Sequence, residues 1–305
     1  MQERHKILIT GSTGFVGQAL SKLLENEGYD LLQSIRRPSQ TKTINNSVYI
    51  GDLNSKNEWK HVLSDCKVVI HLAARAHKLN DKKLNPLEEF RRINAEATIN
   101  LAKQAAKCGV NKFIFLSSIG VNGNLTNGKA FETTDMPSPH SPYALSKLEA
   151  ETGLLKISRK SDMDVVIIRA PAIHGKNVPG NFGLIAKLIN YNIPFPLGSI
   201  NNKRSLVSIE NIVSFIKQCI EHPNAANQIL FVSDNKDYST VEIIRLIGSY
   251  INKKPIIIKS PSIFLWLLLT ILGKKKARDS LMSDLQLNSK KSQMLIDWSP
   301  STSLE

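Results

Sequence analysis

Cysteine is scarce: the 305 residues hold three, Cys66, Cys108 and Cys219, far apart in the chain. An odd, scattered set argues against a disulfide framework and against zinc, and it fits a reducing, cytoplasmic setting. Aromatic residues make up only 6% of the chain, with no basic-aromatic interleaving of the kind that binds nucleic acid, so no nucleic-acid partner is expected. No apolar run reaches the roughly 20 residues a bilayer-spanning helix needs. The N-terminus, Met1 to Lys6, runs into a short apolar strand without a signal-peptide core. Internal repeats and low-complexity linkers are also missing. Positive charge is what the chain has in excess, with a formal net of +14. That balance favours anionic partners such as phosphorylated small molecules or an acidic membrane face; its bland counterpart is a lysine-rich solvated surface. The length suffices for one large domain or two closely joined ones.

Ile7-Leu8-Ile9 reads as a buried strand that leads into Thr10-Gly11-Ser12-Thr13-Gly14-Phe15-Val16-Gly17. Val16, Leu20, Leu23 and Leu24 then recur at helical spacing, and Gly28 ends the helix. Gly11 permits the tight turn, Gly14 lets backbone approach a pyrophosphate, and Gly17 allows close helix-strand packing. The helix N-terminus offers partial positive charge to the phosphates. Thr13, Phe15 and Val16 belong to the same dinucleotide-binding turn. The spacing is G-x-x-G-x-x-G rather than G-x-G-x-x-G.

A second strand, Leu31 to Ile35, ends in Arg36-Arg37-Pro38. An NAD-selective site places a carboxylate near this point; here two arginines stand instead, suited to a 2′-phosphate, and NADP is favoured over NAD. An exposed basic turn is the plain alternative. Gly51-Asp52-Leu53 closes the next strand, with Asp52 either accepting from the adenine or starting a turn. Val68 to Ala74 is an apolar strand closing on small residues, Leu72, Ala73 and Ala74, which suits the crevice of a cofactor-binding sheet. His71 within it is expected to be a satisfied core histidine. Asn85-Pro86 opens a long helix that ends at Gly109, with Asn94 inside it awaiting a backbone partner near the active-site strand. Phe113 to Leu116 is a further strand, running into Ser117-Ser118, where a serine can hydrogen-bond a reacting oxygen.

In Tyr143-Ala144-Leu145-Ser146-Lys147 the tyrosine and lysine lie one helical turn apart on one face. A free phenol titrates near pH ~10. A neighbouring ammonium lowers that value and suits the phenol to pass a proton to or from a sugar oxygen.

Together these pieces resemble the extended short-chain dehydrogenase/reductase family, in its NAD-dependent epimerase/dehydratase, sugar-nucleotide branch. Gly180-Asn181-Phe182 and Arg204 to Asn211 extend the resemblance across nearly the whole chain. It implies Ser118, Tyr143 and Lys147 as a catalytic trio, with Tyr143 and Lys147 also touching the cofactor. It implies Ser118, Asn181 and Arg204 as contacts of a UDP-sugar, and a homodimer. Departures include the missing cofactor carboxylate, Asn122 and His174 where tyrosines are usual, and Ser205 in place of an acid. The fold expected is α/β, a doubly wound parallel Rossmann sheet with a smaller α/β C-terminal lobe. Residues 1–170, joined by 206–235, would hold the cofactor; 171–205 and 236–305 would hold the substrate.

The leading expectation is an NADPH-dependent reductase of a UDP-4-keto-6-deoxy-N-acetylhexosamine in surface polysaccharide (O-antigen or capsule) synthesis. The alternative is a UDP-sugar 4-epimerase, acting on UDP-glucose or UDP-N-acetylglucosamine. A third reading, a non-catalytic NADP sensor, sits poorly with the intact trio. One stretch stands apart: Ile263 to Leu272 is almost wholly apolar, and Lys253, Lys254, Lys259 and Lys274 to Lys276 flank it. It is expected to pack in the core or at a chain contact, with peripheral membrane binding the alternative.

Overall fold

The computed structural model describes residues 6–37, 46–76 and 85–301. In chain order the elements are β1 (Lys6–Thr10), α1 (Phe15–Asn26), β2 (Leu31–Ile35), β3 (Ser47–Tyr49), α2 (Lys60–Leu63) and β4 (Cys66–His71). There follow α3 (Pro86–Phe90), a π-helical turn (Arg91–Glu96), α4 (Ala97–Lys107), β5 (Lys112–Ser118), α5 (Pro142–Ser158), β6 (Asp164–Ala170) and β7 (Ala172–His174). The rest comprises α6 (Gly180–Asn190), β8 (Arg204–Ser208), α7 (Ile209–Glu221), β9 (Ile229–Phe231), β10 (Asp237–Tyr238), α8 (Thr240–Tyr250), α9 (Ser262–Ile271), α10 (Lys275–Met282) and α11 (Lys290–Leu295).

Seven strands form one parallel sheet in the order β3-β2-β1-β4-β5-β6-β9. The order reverses between β1 and β4, and the carboxyl ends on either side of that switch form the crevice where such sheets bind ligands. Strands buried on both faces need continuous apolar runs. Ile7, Leu8, Ile9, Val69, Ile70, Phe113, Ile114, Phe115 and Val165 to Ile168 are all essentially solvent-free. One face packs α1 and α7 around Leu20, Leu24, Ile212 and Ile216. The other packs α4 and α5 around Leu101, Ala105, Ala150 and Leu154.

A second, three-stranded sheet (β10-β8-β7) carries the smaller lobe. Its core gathers Ile189, Phe195, Leu197, Leu206, Ile243, Ile244, Ile247 and Leu265, with Phe182 and Ile185 of α6 alongside. The long helix read from Asn85 to Gly109 is real but not uniform. Asn85 caps its start through Glu88, and Gly109 sits just past its end with φ +74°. Its middle turn winds as a π-helix around Asn94. Such turns mark places where a helix sacrifices regularity to place one side chain.

Candidate active site

The glycine turn is built on close approach. Gly11 has φ +73°, and a Cβ there would stand 2.7 Å from the Ala73 nitrogen. A Cβ on Gly17 would stand 2.1 Å from the Gly11 carbonyl oxygen. A side chain at Gly11 would push the turn away from the small residues that follow β4, and one at Gly17 would push α1 away from the turn. Gly14 precedes α1 in extended conformation with no side chain capping the helix. The first amides of α1 therefore remain donors aimed at the crevice, and the first turn carries no acid to repel an anion. Thr13 is exposed beside them, while Phe15 and Val16 pack partly into the core. Leu72, Ala73 and Ala74 lie opposite, half-buried. This cradle fits a dinucleotide pyrophosphate.

Arg36 and Arg37 are exposed at the end of β2; Pro38 falls outside the described residues. Arg36 lies 3.6 Å from the carboxylate of Asp52, both largely in solvent. The sequence treated these two as separate features, an arginine for a phosphate and an acid for an adenine. The fold makes them one pair. Leu53 turns inward against the core between the large sheet and α4 and α5.

His71 is fully buried and satisfied on both ring nitrogens, by Thr10 Oγ1 at 2.7 Å and Thr98 Oγ1 at 2.9 Å. Burial, with the nearby Lys147 ammonium, pushes its pKa down to about 3. It is a core histidine, as the sequence suggested.

Asn94 finds the expected backbone partner. Its Oδ1 accepts from the Arg75 amide at 2.8 Å, and its Nδ2 donates to the Arg75 carbonyl and to Ser146 Oγ. Ser146 in turn donates to the Tyr143 carbonyl at 2.8 Å. One buried amide thus ties the chain leaving β4 to the helix that carries Tyr143 and Lys147.

Ser141 caps α5 by accepting from the Ala144 amide, and Pro142 occupies the first turn. Tyr143 is half-buried with its ring edge-on to Phe90. Ser118, at the carboxyl end of β5, accepts from the Gly120 amide at 3.1 Å. A Cβ on Gly120 would meet Ser118 Oγ at 3.3 Å and the Ala144 methyl at 3.5 Å. The absence of that atom lets the start of α5 close on Ser118.

Lys147 is buried, and its ammonium donates to the Leu116 carbonyl at 2.8 Å. It lies 4.3 Å from the centre of the Phe115 ring and 6.0 Å from that of Tyr143. Here the sequence-level expectation needs correcting. Burial pushes the Tyr143 phenol up to about 12 rather than letting the ammonium lower it. Burial also pushes Lys147 down to about 7, against the opposing pull of Glu151. The lysine engages a backbone carbonyl and the Phe115 ring face, and desolvation is what sets the tyrosine.

Beneath the trio runs a network that sequence reasoning missed. Arg169 holds Glu151 through both carboxylate oxygens, closest at 2.6 Å. Glu151 Oε1 accepts from Ser117 Oγ at 2.5 Å, and Arg169 Nη1 donates to Asn122 Oδ1 at 3.0 Å. All four are buried. The only signal in the sequence was Asn122 standing where a tyrosine is usual.

In the smaller lobe Asn181 is exposed in the first turn of α6, and Arg204 opens β8 half-buried. Arg204 donates to the Ser283 carbonyl at 3.0 Å, and burial lowers its pKa against the attraction of Asp284. Both elements pack on one lobe core, through Phe182 and Leu206. His174, buried at the end of β7, bonds Asp234, in the loop after β9, at 2.8 Å and Tyr250 of α8 at 2.7 Å, so it joins β7 to both.

Residues 7–232 match the model of the NAD dependent epimerase/dehydratase family. The chain belongs to that family. Membership makes it an NAD(P)-dependent enzyme. It is 41% identical over 301 residues, 98% of this chain and 92% of the other, to a UDP-glucose 4-epimerase of Vibrio cholerae. It is 28% identical to an N-acetyl-alpha-D-glucosaminyl-diphospho-ditrans,octacis-undecaprenol 4-epimerase of Escherichia coli O157:H7, over 81% of this chain and 73% of that one. Among solved structures, MoeE5 in complex with UDP-glucuronic acid and NAD superposes with a TM-score of 0.78 at 20% identity, covering 97% of this chain and 94% of that one. That likeness extends the fold match through both lobes.

Proposed function

We propose that this family member is a 4-epimerase of a nucleotide-linked hexose, working with NAD. The observation that carries the reading is the 41% identity to the Vibrio cholerae UDP-glucose 4-epimerase across almost the full length of both chains. The site chemistry supports it. The turn from Gly11 to Gly17 and the N-terminus of α1 would hold the pyrophosphate, with Asp52 and Leu53 at the adenine end. Leu72, Ala73, Ala74, Tyr143 and Lys147 would line the nicotinamide end. A nicotinamide held there would supply hydride acceptance and return at C4. Tyr143 would take the proton from the C4 hydroxyl oxygen and later give it back, while Ser118 holds that oxygen by hydrogen bond. Lys147, anchored on the Leu116 carbonyl, would favour the phenolate at the moment of transfer. Asn181 and Arg204 would grip the diphosphate of a UDP-sugar.

NADP and the reductase reading were favoured on Arg36 and Arg37. Arg36 already faces Asp52, and a 2′-phosphate would meet that carboxylate's repulsion. NAD is therefore the better fit. Arg37 keeps the reductase as the second reading, with NADPH reducing a UDP-4-keto sugar in surface polysaccharide synthesis. We assign residues 1–170 and most of 206–235 to the cofactor part, and 171–205 with most of 236–305 to the substrate lobe. Two ends of that division shift, because Leu206 packs in the lobe core and Ile296 and Trp298 pack with α7 on the large sheet. Pairing of two copies through α4 and α5 is part of the same proposal.

The test is to identify the nucleotide that copurifies and then assay UDP-glucose and UDP-N-acetylglucosamine. Bound NAD, with appearance of the 4-epimer and no net consumption of nicotinamide, is expected. Stoichiometric NADPH oxidation on a 4-keto sugar nucleotide, without epimer, would replace this reading with the reductase.

A further inference from the structure

Helix α9 has two apolar faces where a surface helix needs one. Leu265 is buried in the lobe core and Leu269 packs beside it. The other face carries Ile263, Trp266, Leu267, Thr270 and Ile271, at positions i, i+3, i+4, i+7 and i+8. Those five lie on one side of the helix, and all five are exposed: Ile263 is 70% exposed and Ile271 75%. Leu272 continues the strip at 55%. An isolated exposed leucine needs no explanation, but a whole helical stripe does.

The exposed apolar residues are concentrated in this lobe. Leu184, Tyr191, Ile193, Ile256 and Ile258 join those of α9, whereas the described residues of the large sheet domain include few. Ile256 and Ile258 flank Ile257, which turns into the lobe core. The sequence on either side of the stripe is rich in positive charge. From residue 243 to 278 the sequence holds six lysines and two arginines and no acid. Lys253, Lys254, Lys259 and Lys274 are exposed. Arg278 lies 5.2 Å over the Trp266 ring, and its charge is met by the neighbouring Asp279. No helix among the described residues is long and apolar enough to cross a membrane.

We propose that α9 is a peripheral membrane anchor: its outer stripe docks into the interface of an anionic bilayer, with the surrounding lysines on the headgroups. A ten-residue helix with apolar residues outward, an indole within the stripe and cations around it has the composition that such anchoring requires. A second copy of the chain is the competing occupant, but paired copies would bring like-charged lysine rims together. A lipid surface of opposite charge relieves that repulsion.

The experiment uses the full chain with phosphatidylglycerol/phosphatidylcholine vesicles and with phosphatidylcholine vesicles alone. The protein should float with the anionic vesicles at least about tenfold more strongly than with the neutral ones, and high salt should weaken it. Trp59 is fully buried and Trp298 nearly so, so Trp266 reports contact. Its emission should shift to the blue and lose quenching by acrylamide, and Trp266→Phe should abolish the shift. Leu267→Glu with Ile271→Glu should leave the protein in the soluble fraction. Both side chains are exposed, so its melting temperature and its turnover of a free nucleotide sugar should stay those of the parent. Failure of the parent to float with either vesicle overturns the proposal. So does lipid-independent self-association that Ile271→Glu abolishes, which would assign the face to a second copy. Equal flotation with both vesicles overturns the role of the lysines.

Discussion

Arg169 grips Glu151 with two guanidinium nitrogens, in a pair whose side chains are 3% and 1% exposed. The pair joins β6 to α5, and Ser117 and Asn122 occupy its remaining valences. A buried ion pair gains little over apolar packing, yet losing one partner strands the other charge out of water. Glu151→Ala should therefore cost roughly 3–5 kcal/mol of stability. Glu151→Gln keeps a partner for Ser117 and should cost less. Chemical denaturation of the two variants checks the order; equal, small losses would mean that the network bears no charge strain.

Gly109, past the end of α4, and Gly17, in the first turn of α1, separate two costs that are usually entangled. Gly109 has φ +74° and nothing near its absent Cβ. Gly109→Ala should lose only about 1–2 kcal/mol, the strain of a left-handed backbone. Gly17 has no positive φ to relieve, but its Cβ would strike backbone at 2.1 Å. Gly17→Ala should cost more stability and abolish retention of the dinucleotide. Thermal melts and the absorbance of copurified cofactor measure both effects.

These two sites mark the boundary of what the sequence reveals. The turn was legible because its glycines, its strand and its helix are neighbours in the chain. Tyr143 and Lys147 were legible for the same reason, through helical spacing. The Glu151 network draws on β5, α5, β6 and the loop after β5, and no local pattern records such a meeting. The π-turn at Asn94 was hidden because a helix-period reading assumes regular winding, although the need for a buried partner was visible. Lys147's carbonyl partner could not be read because main-chain acceptors leave no trace in residue identity. At α9 the apolar run was plain in the sequence, but only the fold shows which of its sides meets solvent.

His71 sets a pH dependence. Its folded pKa is depressed from 6.5 to about 3. Between those values the unfolded chain takes up a proton that the folded ring refuses. Stability is fully present above pH 6.5 and falls as the pH drops toward 3, by roughly 3–5 kcal/mol in all. Denaturation midpoints measured across that window should decline, and the ring signals of His71 should not titrate between pH 7 and 4. A His71 resonance titrating near pH 6 would contradict the buried, threonine-bonded ring.

Tyr143 carries the chemistry in the proposed mechanism, and its removal should separate catalysis from binding. Tyr143→Phe deletes one oxygen and leaves the ring against Phe90 and the Ser146 bond to the Tyr143 carbonyl, which is main chain. The helix should therefore keep its place and the protein its cofactor. Turnover should fall by about 10²–10⁴-fold, the usual worth of a positioned proton carrier, with KM little changed. Lys147→Met should also slow turnover, but through a different route. It removes a buried ammonium held near pH 7 and its bond to the Leu116 carbonyl. Without that ammonium the phenol would ionise less readily, so the residual activity should level off at a higher pH than in the parent. Wild-type kcat in Tyr143→Phe, with epimer still formed, would take the proton transfer away from this residue.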